Sequence, residues 1–351
     1  MKTVFDYLNF YNDLNFNECD FNDMDNIVFS CLTYLPLNEL IGSEDVVIDN
    51  LSKLVSNRGE KKEDTPICKL SIKLFEIITK GERYKDVVFS NYVYILDETT
   101  QFCALTIRFK KGNCYVAFKG TDNSLTGWRE NFELSYSYPV KAQALAADYL
   151  NNTVRFTDKI VYVGGHSKGG NLAMASVMEC NKSIYNKIKF VYNNDGPGFL
   201  KKEFESSKYK LMANKLKMFM PEESVVGILL LNPKDCNVVK SSEHGPKQHY
   251  PTSWNCFGQF LVPGKLSRGS LKIKEQLSNF VNNTDDNAKK NMVDTMFEVL
   301  KQSNIKYFYQ IKDLKFPQIS LMIKEARNID EESKQLLIDT IKSLIAFREE
   351  K

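Results

Sequence analysis

The sequence predicts an α/β fold with a mostly parallel central sheet and helical regions at both ends. Residues 160–163 are consecutive apolar residues without alternation, the pattern of a strand covered on both faces of a parallel sheet. A glycine-rich turn follows at 164–170, and small apolar residues at 172–177 indicate a helix packed on that sheet. Strand-like segments recur across 87–239. A chain of 351 residues can hold one large α/β domain with additions, or two domains.

The composition is that of an ordinary globular protein. Apolar residues make up 43% and charged residues 26% of the chain. The 47 basic and 44 acidic residues are well mixed, so nothing indicates a nucleic-acid surface. Eight cysteines without a C-x-x-C pair favour buried free thiols over a disulfide framework or a metal site. With no signal peptide pattern and no run near 18 apolar residues, we expect a cytoplasmic protein without a transmembrane segment.

Three regions are expected along the chain. A helical N-terminal region at 1–85 is indicated by apolar residues at helical spacing within 21–32, and the residues at 22–25 are candidate helix caps. An α/β core follows at 86–264, and a helical C-terminal region at 265–351. The apolar residues at helical spacing in that last region are Met292, Met296, Val299, Leu300, Leu336, Leu337, Ile341, Leu344 and Ile345. We expect both end regions to pack against the core.

The core is expected to begin with three successive strands, after which strands and helices alternate. The expected strands are Val87 to Leu96, Gln101 to Phe109 with looser alternation, Asn113 to Phe118, Ile188 to Tyr192, Leu216 to Met220, and Val238 to Val239. Residues 110–113 are a hairpin turn signal, and 141–150 are expected to be helical. At 221–229, a proline followed by acidic residues predicts the first turn of another helix.

The turn after the strand at 160–163 carries the pattern G-x-S-x-G at 165–169. A serine on a sharp strand-to-helix turn has a strained backbone, and the residues two positions away must lack a Cβ atom. Gly165 and Gly169 meet that need, so Ser167 is the candidate nucleophile. The backbone N–H of Lys168, at the helix start, is a candidate oxyanion donor. The alternative is an ordinary glycine-rich turn.

Thr121 is the candidate for the second oxyanion donor. It follows Gly120 at the end of the strand at 113–118, an early strand-to-loop junction of the kind that supplies such an N–H. The alternative is a capped turn, with Thr121 or Asp122 as helix N-cap and Trp128 in the core.

A serine hydroxyl needs a base, and the chain has three histidines. His166 is adjacent to Ser167, so its side chain should leave the turn in another direction and shape the pocket. His244 and His249 follow the last strand, where the order serine, acid, histidine places the base. We favour His249, because the segment at 251–254 looks like a packed anchor, whereas His244 lies in a polar loop with a glycine.

Two positions compete for the acid that orients the base. Asp195 ends the strand directly after the serine turn, and the loop at 196–198 is rigid and tight. Glu223, next to Glu222, follows the next strand, which is the commoner place for this acid. Both glutamates also have an account as first-turn helix charges. We favour Asp195 and keep Glu223 as the alternative.

At these residues the chain resembles a bacterial family known as domain of unknown function 2974, itself similar to class 3 lipases of the α/β-hydrolase superfamily. The matching segments are Phe5 to Leu8, Asp25, Tyr34 to Pro36, Phe118 to Asp122, Gly127 to Phe132, Gly164 to Ala173, Asp195 to Gly198, Pro221, Ser224 to Gly227, His249, and Ser253 with Trp254. The resemblance implies an α/β-hydrolase fold and a serine hydrolase. Class 3 lipases usually carry Arg where Lys119 stands and Leu where Lys168 stands, and Lys168 suggests a polar or anionic group near the site.

We therefore expect a serine hydrolase that cleaves a carboxylic ester or lipid-like acyl substrate through an acyl-enzyme on Ser167. No cofactor or metal ion is implied, no nucleic acid is expected as a partner, and the oligomeric state is left open. The alternative is a non-catalytic α/β-hydrolase fold used for binding or as a scaffold. That alternative gains if the ring of His249 lies far from Ser167.

Overall fold

A sheet of eight strands runs through the computed structural model, which describes residues 2–310 except 43, 62, 63, 304, 306, 308 and 309. The strands stand in the sheet in the order of the chain. They are β1 (Val46–Val47), β2 (Val88–Leu96), β3 (Gln101–Lys110), β4 (Asn113–Phe118), β5 (Ile160–His166), β6 (Ile188–Asn194), β7 (Leu216–Pro221) and β8 (Asn237–Val239). Neighbours from β1 to β4 are antiparallel, and neighbours from β4 to β8 are parallel. The predicted α/β fold with a mostly parallel sheet is confirmed.

Twelve α-helices lie in the described part of the chain. They are α1 (Val4–Tyr11), α2 (Asp23–Leu32), α3 (Ile48–Arg58), α4 (Pro66–Ile78), α5 (Leu125–Glu133), α6 (Lys141–Thr153), α7 (Lys168–Met178), α8 (Lys182–Tyr185), α9 (Lys201–Phe204), α10 (Ser207–Ala213), α11 (Arg268–Asn283) and α12 (Asp286–Gln302). A short antiparallel pair, β9 (Cys256–Phe257) and β10 (Phe260–Leu261), stands apart from the main sheet. None of the helices in this part is both long and apolar enough to cross a lipid bilayer.

Helices cover both faces of the sheet. Side chains alternate along a strand, and in β4 Tyr115 and Ala117 join one buried cluster whereas Val116 and Phe118 join another. The first cluster contains residues of α1, α2, α3 and α4, and the second contains residues of α6, α7 and α10. The sheet is thus the middle of three layers, which explains why its central strands are apolar on both faces.

The start of α2 shows how local sequence fixes a helix boundary. The side chain of Asn22 accepts a hydrogen bond from the backbone N–H of Met24 (2.9 Å), and the carboxylate of Asp25 accepts one from the backbone N–H of Asn22 (2.9 Å). This reciprocal cap satisfies two N–H groups that a helix leaves without partners. The predicted capping residues are confirmed.

The helix expected at 221–229 is wrong, because the segment forms irregular turns. Asp195 Oδ1 accepts hydrogen bonds from Ser224 Oγ (2.5 Å) and from the backbone N–H of Gly227 (3.0 Å). These contacts with Asp195, which directly follows β6, hold the segment in a non-helical path. Local proline and acidic residues predict a helix start, but the partner that decides the conformation is distant in the sequence.

The helical pattern at Met292, Met296, Val299 and Leu300 is confirmed as α12. The helix packs against α5, and its apolar side chains form a cluster with Trp128 and Phe132. The remaining expected helical positions, from 336 to 345, lie outside the described residues.

The sheet brings three loops to one edge. Parallel strands end at the same edge, and β4, β5 and β6 are neighbours, with Phe118 opposite Gly165 and His166 opposite Asn194. The segments that follow these strands therefore start side by side. Crevices at the carboxyl ends of parallel strands are the usual place for ligands in α/β sheets.

Candidate active site

Ser167 occupies a strained turn between β5 and α7. Its backbone has φ 58° and ψ −133°, a region that side chains other than glycine rarely adopt. A Cβ atom on Gly165 would lie 2.5 Å from the carbonyl carbon of Gly169, and one on Gly169 would overlap the carbonyl oxygen of Phe118. Both flanking glycines are therefore required by close backbone approach, for the reason given by the sequence pattern.

Asp195 and His249 meet at the edge of the sheet. Asp195 Oδ2 lies 2.6 Å from His249 Nδ1, and the carboxyl side chain is fully buried whereas the imidazole is 12% exposed. The backbone of Asp195 is left-handed, with φ 53°. The carboxylate thus accepts bonds from His249, Ser224 and Gly227, which fix both of its oxygen atoms.

Glu223, the alternative acid, makes different contacts. Its carboxylate accepts hydrogen bonds from the backbone N–H of Gly245 and from Gln248 Nε2 (3.2 Å). Its backbone N–H in turn donates to Gln248 Oε1 (3.0 Å). Glu223 therefore braces the 3₁₀ turn that leads to His249. His244 lies exposed at the start of the same turn.

His166 is buried beside the serine turn and bonds on both ring nitrogens. Tyr34 Oη lies 2.9 Å from Nδ1, and the backbone carbonyl oxygen of His249 lies 2.8 Å from Nε2. A carbonyl only accepts, so Nε2 carries the proton and Nδ1 accepts from Tyr34. Burial, followed by the neighbouring His249, lowers the pKa of His166 well below its usual value, so the ring is neutral. The ring also lines the cavity described below.

Thr121 lies in the loop after β4, where its hydroxyl pairs with the side-chain amide of Asn131 at 2.8–3.0 Å. The N-cap of α5 is Ser124, whose Oγ accepts from the backbone N–H of Gly127 (3.1 Å). The alternative in which Thr121 or Asp122 caps this helix is wrong.

The side chain of Lys168, from which the sequence suggested a polar or anionic group near the site, points into the protein interior. Its ammonium group is 1% exposed and binds Glu130 Oε2 (3.0 Å) and the carbonyl oxygen of Gln101 (2.8 Å). Glu130 is equally buried. The anionic group that Lys168 indicated near the site is therefore the buried carboxylate of Glu130, and the charge of the lysine is paired inside the protein. The backbone N–H of Lys168 belongs to the first turn of α7, where helix geometry offers no internal acceptor.

A mostly apolar cavity of about 210 Å³ opens beside Ser167 and His249. Its apolar side chains include Ile67, Trp128, Phe132, Leu134, Val225, Val226, Leu229, Leu230, Leu277, Phe280, Val281 and Met292. They come from α4, α5, the irregular segment after β7, α11 and α12. Thr121, His166, Ser167, Lys168 and His249 line the same cavity, whereas Asp195 is not among its lining residues. The arrangement suits a ligand with an apolar part and one reactive polar group.

Sequence reasoning missed several residues that shape this edge. Tyr34 contacts His166, and Ser224 contacts Asp195. Residues of α11 and α12 line the cavity. Tyr34 and Ser224 lie in segments that carried the family resemblance, which was a usable signal. In contrast, helical periodicity predicts α11 and α12 but not the surface on which they pack.

Ser167 has a strained backbone between a central parallel strand and its helix, and an imidazole is paired to a carboxylate at the same edge of the sheet. This combination occurs in the α/β-hydrolase class. The fold here is of that class. A family model described as Mbeg1-like matches residues 78–298. This is more than half of the chain, so the protein belongs to the Mbeg1-like family, which is lipase-like.

No curated protein matches the chain significantly. Solved structures that match include one titled "Crystal structure of M37 lipase", at 14% identity and a TM-score of 0.35, covering 57% of this chain and 68% of that one. Within the described residues, no group of three or more histidine, cysteine or acidic side chains is placed to hold a metal ion.

Proposed function

We propose that this protein is a serine hydrolase that cleaves a carboxylic ester or a lipid-like acyl substrate through an acyl-enzyme on Ser167. The observation that carries the proposal is the 2.6 Å contact between His249 Nδ1 and Asp195 Oδ2, on the same cavity that Ser167 lines. With Nδ1 bonded to the carboxylate, the neutral ring has its lone pair on Nε2. That is the nitrogen that a general base uses.

In this proposal Ser167 Oγ attacks the carbonyl carbon of the ester while His249 Nε2 takes the hydroxyl proton. Asp195 keeps the ring in the right tautomer and stabilises the imidazolium that forms. The backbone N–H groups of Lys168 and Thr121 receive the oxyanion. His249 then gives its proton to the leaving alcohol, and water attacks the acyl-enzyme by the same steps in reverse.

The cavity supports an apolar acyl group. Its wall is mostly aliphatic and aromatic, and the cationic side chain next to the nucleophile, Lys168, is buried in an ion pair with Glu130. Against the apolar part of this wall, an anionic or strongly polar acyl group would lose its hydration. We therefore propose uncharged acyl chains as substrates.

Two further expectations stay with this proposal. We propose membership of the bacterial family known as domain of unknown function 2974, on the motifs that carry the resemblance. We also propose the cytoplasm as the compartment. All eight cysteines lie in the described part of the chain and are free thiols, as is usual in a reducing compartment.

Labelling with a fluorophosphonate probe tests the proposed chemistry. We expect the wild-type protein to be labelled and Ser167→Ala to be unlabelled, because the probe reacts with an activated serine. Ser207→Ala is the matched control, since Ser207 is exposed at the start of α10, outside the cavity lining. An unlabelled but folded wild-type protein would overturn the proposal and favour a non-catalytic binding or scaffold role.

A further inference from the structure

A continuous chain of hydrogen bonds links the loop that carries Thr121 to the backbone of His249. The backbone N–H of Gly120 donates to Tyr34 Oη (3.1 Å), Tyr34 Oη contacts His166 Nδ1 (2.9 Å), and His166 Nε2 contacts the carbonyl oxygen of His249 (2.8 Å). We propose that Tyr34 and His166 are positioning residues that set the oxyanion loop and the base in register with Ser167. This inference rests on the proposed function.

The directions of these bonds are mutually consistent. The Tyr34 oxygen accepts from Gly120, so its own proton goes to His166 Nδ1, which leaves Nε2–H to donate to His249. The hydroxyl also lies 3.4 Å from the carbonyl oxygen of His166, a longer and weaker contact. A single protonation state of the neutral imidazole therefore satisfies every member of the chain.

The hydrogen bond from position 120 to Tyr34 requires glycine at that position. A Cβ atom on Gly120 would overlap Tyr34 Oη and would lie 2.7 Å from the carbonyl oxygen of His166. Only glycine allows the backbone N–H to reach the hydroxyl. The close approach joins the end of β4 to a residue that follows α2, so the N-terminal layer contributes directly to the candidate site.

A neutral His166 is also compatible with the charge that catalysis would create. The ring centroids of His166 and His249 are 4.3 Å apart, so a positive charge on His166 would oppose the imidazolium of His249. Burial keeps His166 neutral and leaves it able to hold the carbonyl of His249 without competing for the proton.

The expected effect is on the chemical step more than on substrate binding. The chain of hydrogen bonds ends at the loop that carries Thr121 and at His249, the two elements that would act on the transition state. A displacement of such a group by about 1 Å costs roughly 100-fold in rate. We therefore expect variants that break the chain to lower kcat while KM changes by less than about threefold. A merely structural role would reduce the fraction of folded protein and leave kcat per active site unchanged.

Three substitutions test separately the contact of His166 with Tyr34 and its contact with the His249 carbonyl. Tyr34→Phe removes the hydroxyl and keeps the ring. His166→Gln can still place an N–H near the His249 carbonyl, whereas His166→Asn offers Tyr34 an acceptor but is too short to reach that carbonyl. We expect kcat to fall about 10-fold in Tyr34→Phe and His166→Gln, and about 100-fold in His166→Asn.

The experiment measures kcat and KM with a p-nitrophenyl ester, normalised to the active sites titrated by a fluorophosphonate, with melting temperature as the folding check. His244→Asn is the matched control, because His244 is exposed and begins the same 3₁₀ turn. Wild-type kcat per titrated site in the three variants would overturn the inference. If His166→Asn does not fold, Tyr34→Phe and His166→Gln decide by the same criterion. A wild-type protein that takes no label instead refutes the proposed function.

Discussion

Asp195 and His249 are 54 positions apart in the chain, yet their side chains are joined at 2.6 Å by Oδ2 and Nδ1. Asp195 directly follows β6, and His249 closes a 3₁₀ turn after β8. The left-handed backbone of Asp195 and the bonds from Ser224 and Gly227 aim the carboxylate at the ring. Glu223 bonds to Gly245 and Gln248 instead. Substitutions of the two candidate acids should therefore change kcat by different amounts.

We expect Asp195→Asn to lower kcat by about three to four orders of magnitude, because an amide favours the wrong tautomer of the imidazole. Glu223→Gln should lower kcat by less than about 10-fold, since a neutral amide oxygen can still brace the turn at Gly245. Steady-state kinetics on an activated ester measures both. A larger loss in Glu223→Gln than in Asp195→Asn would show that Glu223 is the acid.

The buried pair of Lys168 and Glu130 predicts a stability effect. Glu130 also accepts the backbone N–H groups of Gln101 (2.9 Å) and Ala142 (3.2 Å), so its carboxylate stays in place when the lysine is removed. Lys168→Met should therefore reduce the free energy of unfolding by about 3–5 kcal/mol, because it leaves a buried charge without its partner. The double variant with Glu130→Gln should recover most of this loss.

Equilibrium urea unfolding of the two single variants and the double variant measures the coupling between Lys168 and Glu130. Arg129→Met is a useful control, since its ion pair with Asp294 is about 40% exposed at the arginine. Exposed pairs contribute about 0–1 kcal/mol. Additive effects at Lys168 and Glu130 would contradict the assignment of a strong buried pair.

Because most of the cysteine thiols are buried, we expect the folded protein to react slowly with thiol reagents. Burial raises the pKa of the Cys31 and Cys114 thiols to about 12 and that of Cys180 to about 11, which leaves little reactive thiolate at neutral pH. We expect slow alkylation by iodoacetamide at pH 7.5 and full esterase activity afterwards, with all eight thiols reacting once the chain is unfolded. Rapid loss of activity in the folded protein would favour a cysteine-dependent reaction.

The serine turn and the sheet were readable from the sequence because their signals are local. An unbroken apolar run marks β5, and Gly165 and Gly169 are demanded by backbone contacts within the turn itself and with the neighbouring strand. The flanking loops at Thr121 and Asp195 follow from the rule that parallel strands end at one edge.

The rest depended on partners that no local pattern reveals. The residues at 221–229 read as a helix until Asp195 is placed beside Ser224 and Gly227. Lys168 next to the nucleophile reads as a pocket charge until Glu130, 38 positions away, is placed against it. Long-range contacts override local propensity in both cases, in one for backbone conformation and in the other for side-chain direction.

His166 predicts a pH dependence of stability. Its pKa in the folded protein lies well below the usual 6.5, so the unfolded chain binds more protons between these two values. The free energy of unfolding therefore falls as the pH drops below about 6.5, by about 1 kcal/mol from pH 7 to 5.5 for this group. His166→Gln should lack that component. Urea unfolding at the two pH values measures it, and an equal change in both proteins would contradict the assignment.

The cavity wall predicts a preference for longer acyl chains. Each methylene that becomes buried contributes about 0.8 kcal/mol, so kcat/KM for p-nitrophenyl esters should rise about fourfold per methylene until the cavity is filled. Phe280→Ala, which removes a ring of α11 from the wall, should move the optimum to longer chains, and Val226→Phe should move it to shorter ones. Leu211→Phe on the exposed side of α10 is the control and should leave the optimum unchanged. A flat chain-length profile, or one optimum shared by all four proteins, would show that the acyl group binds elsewhere.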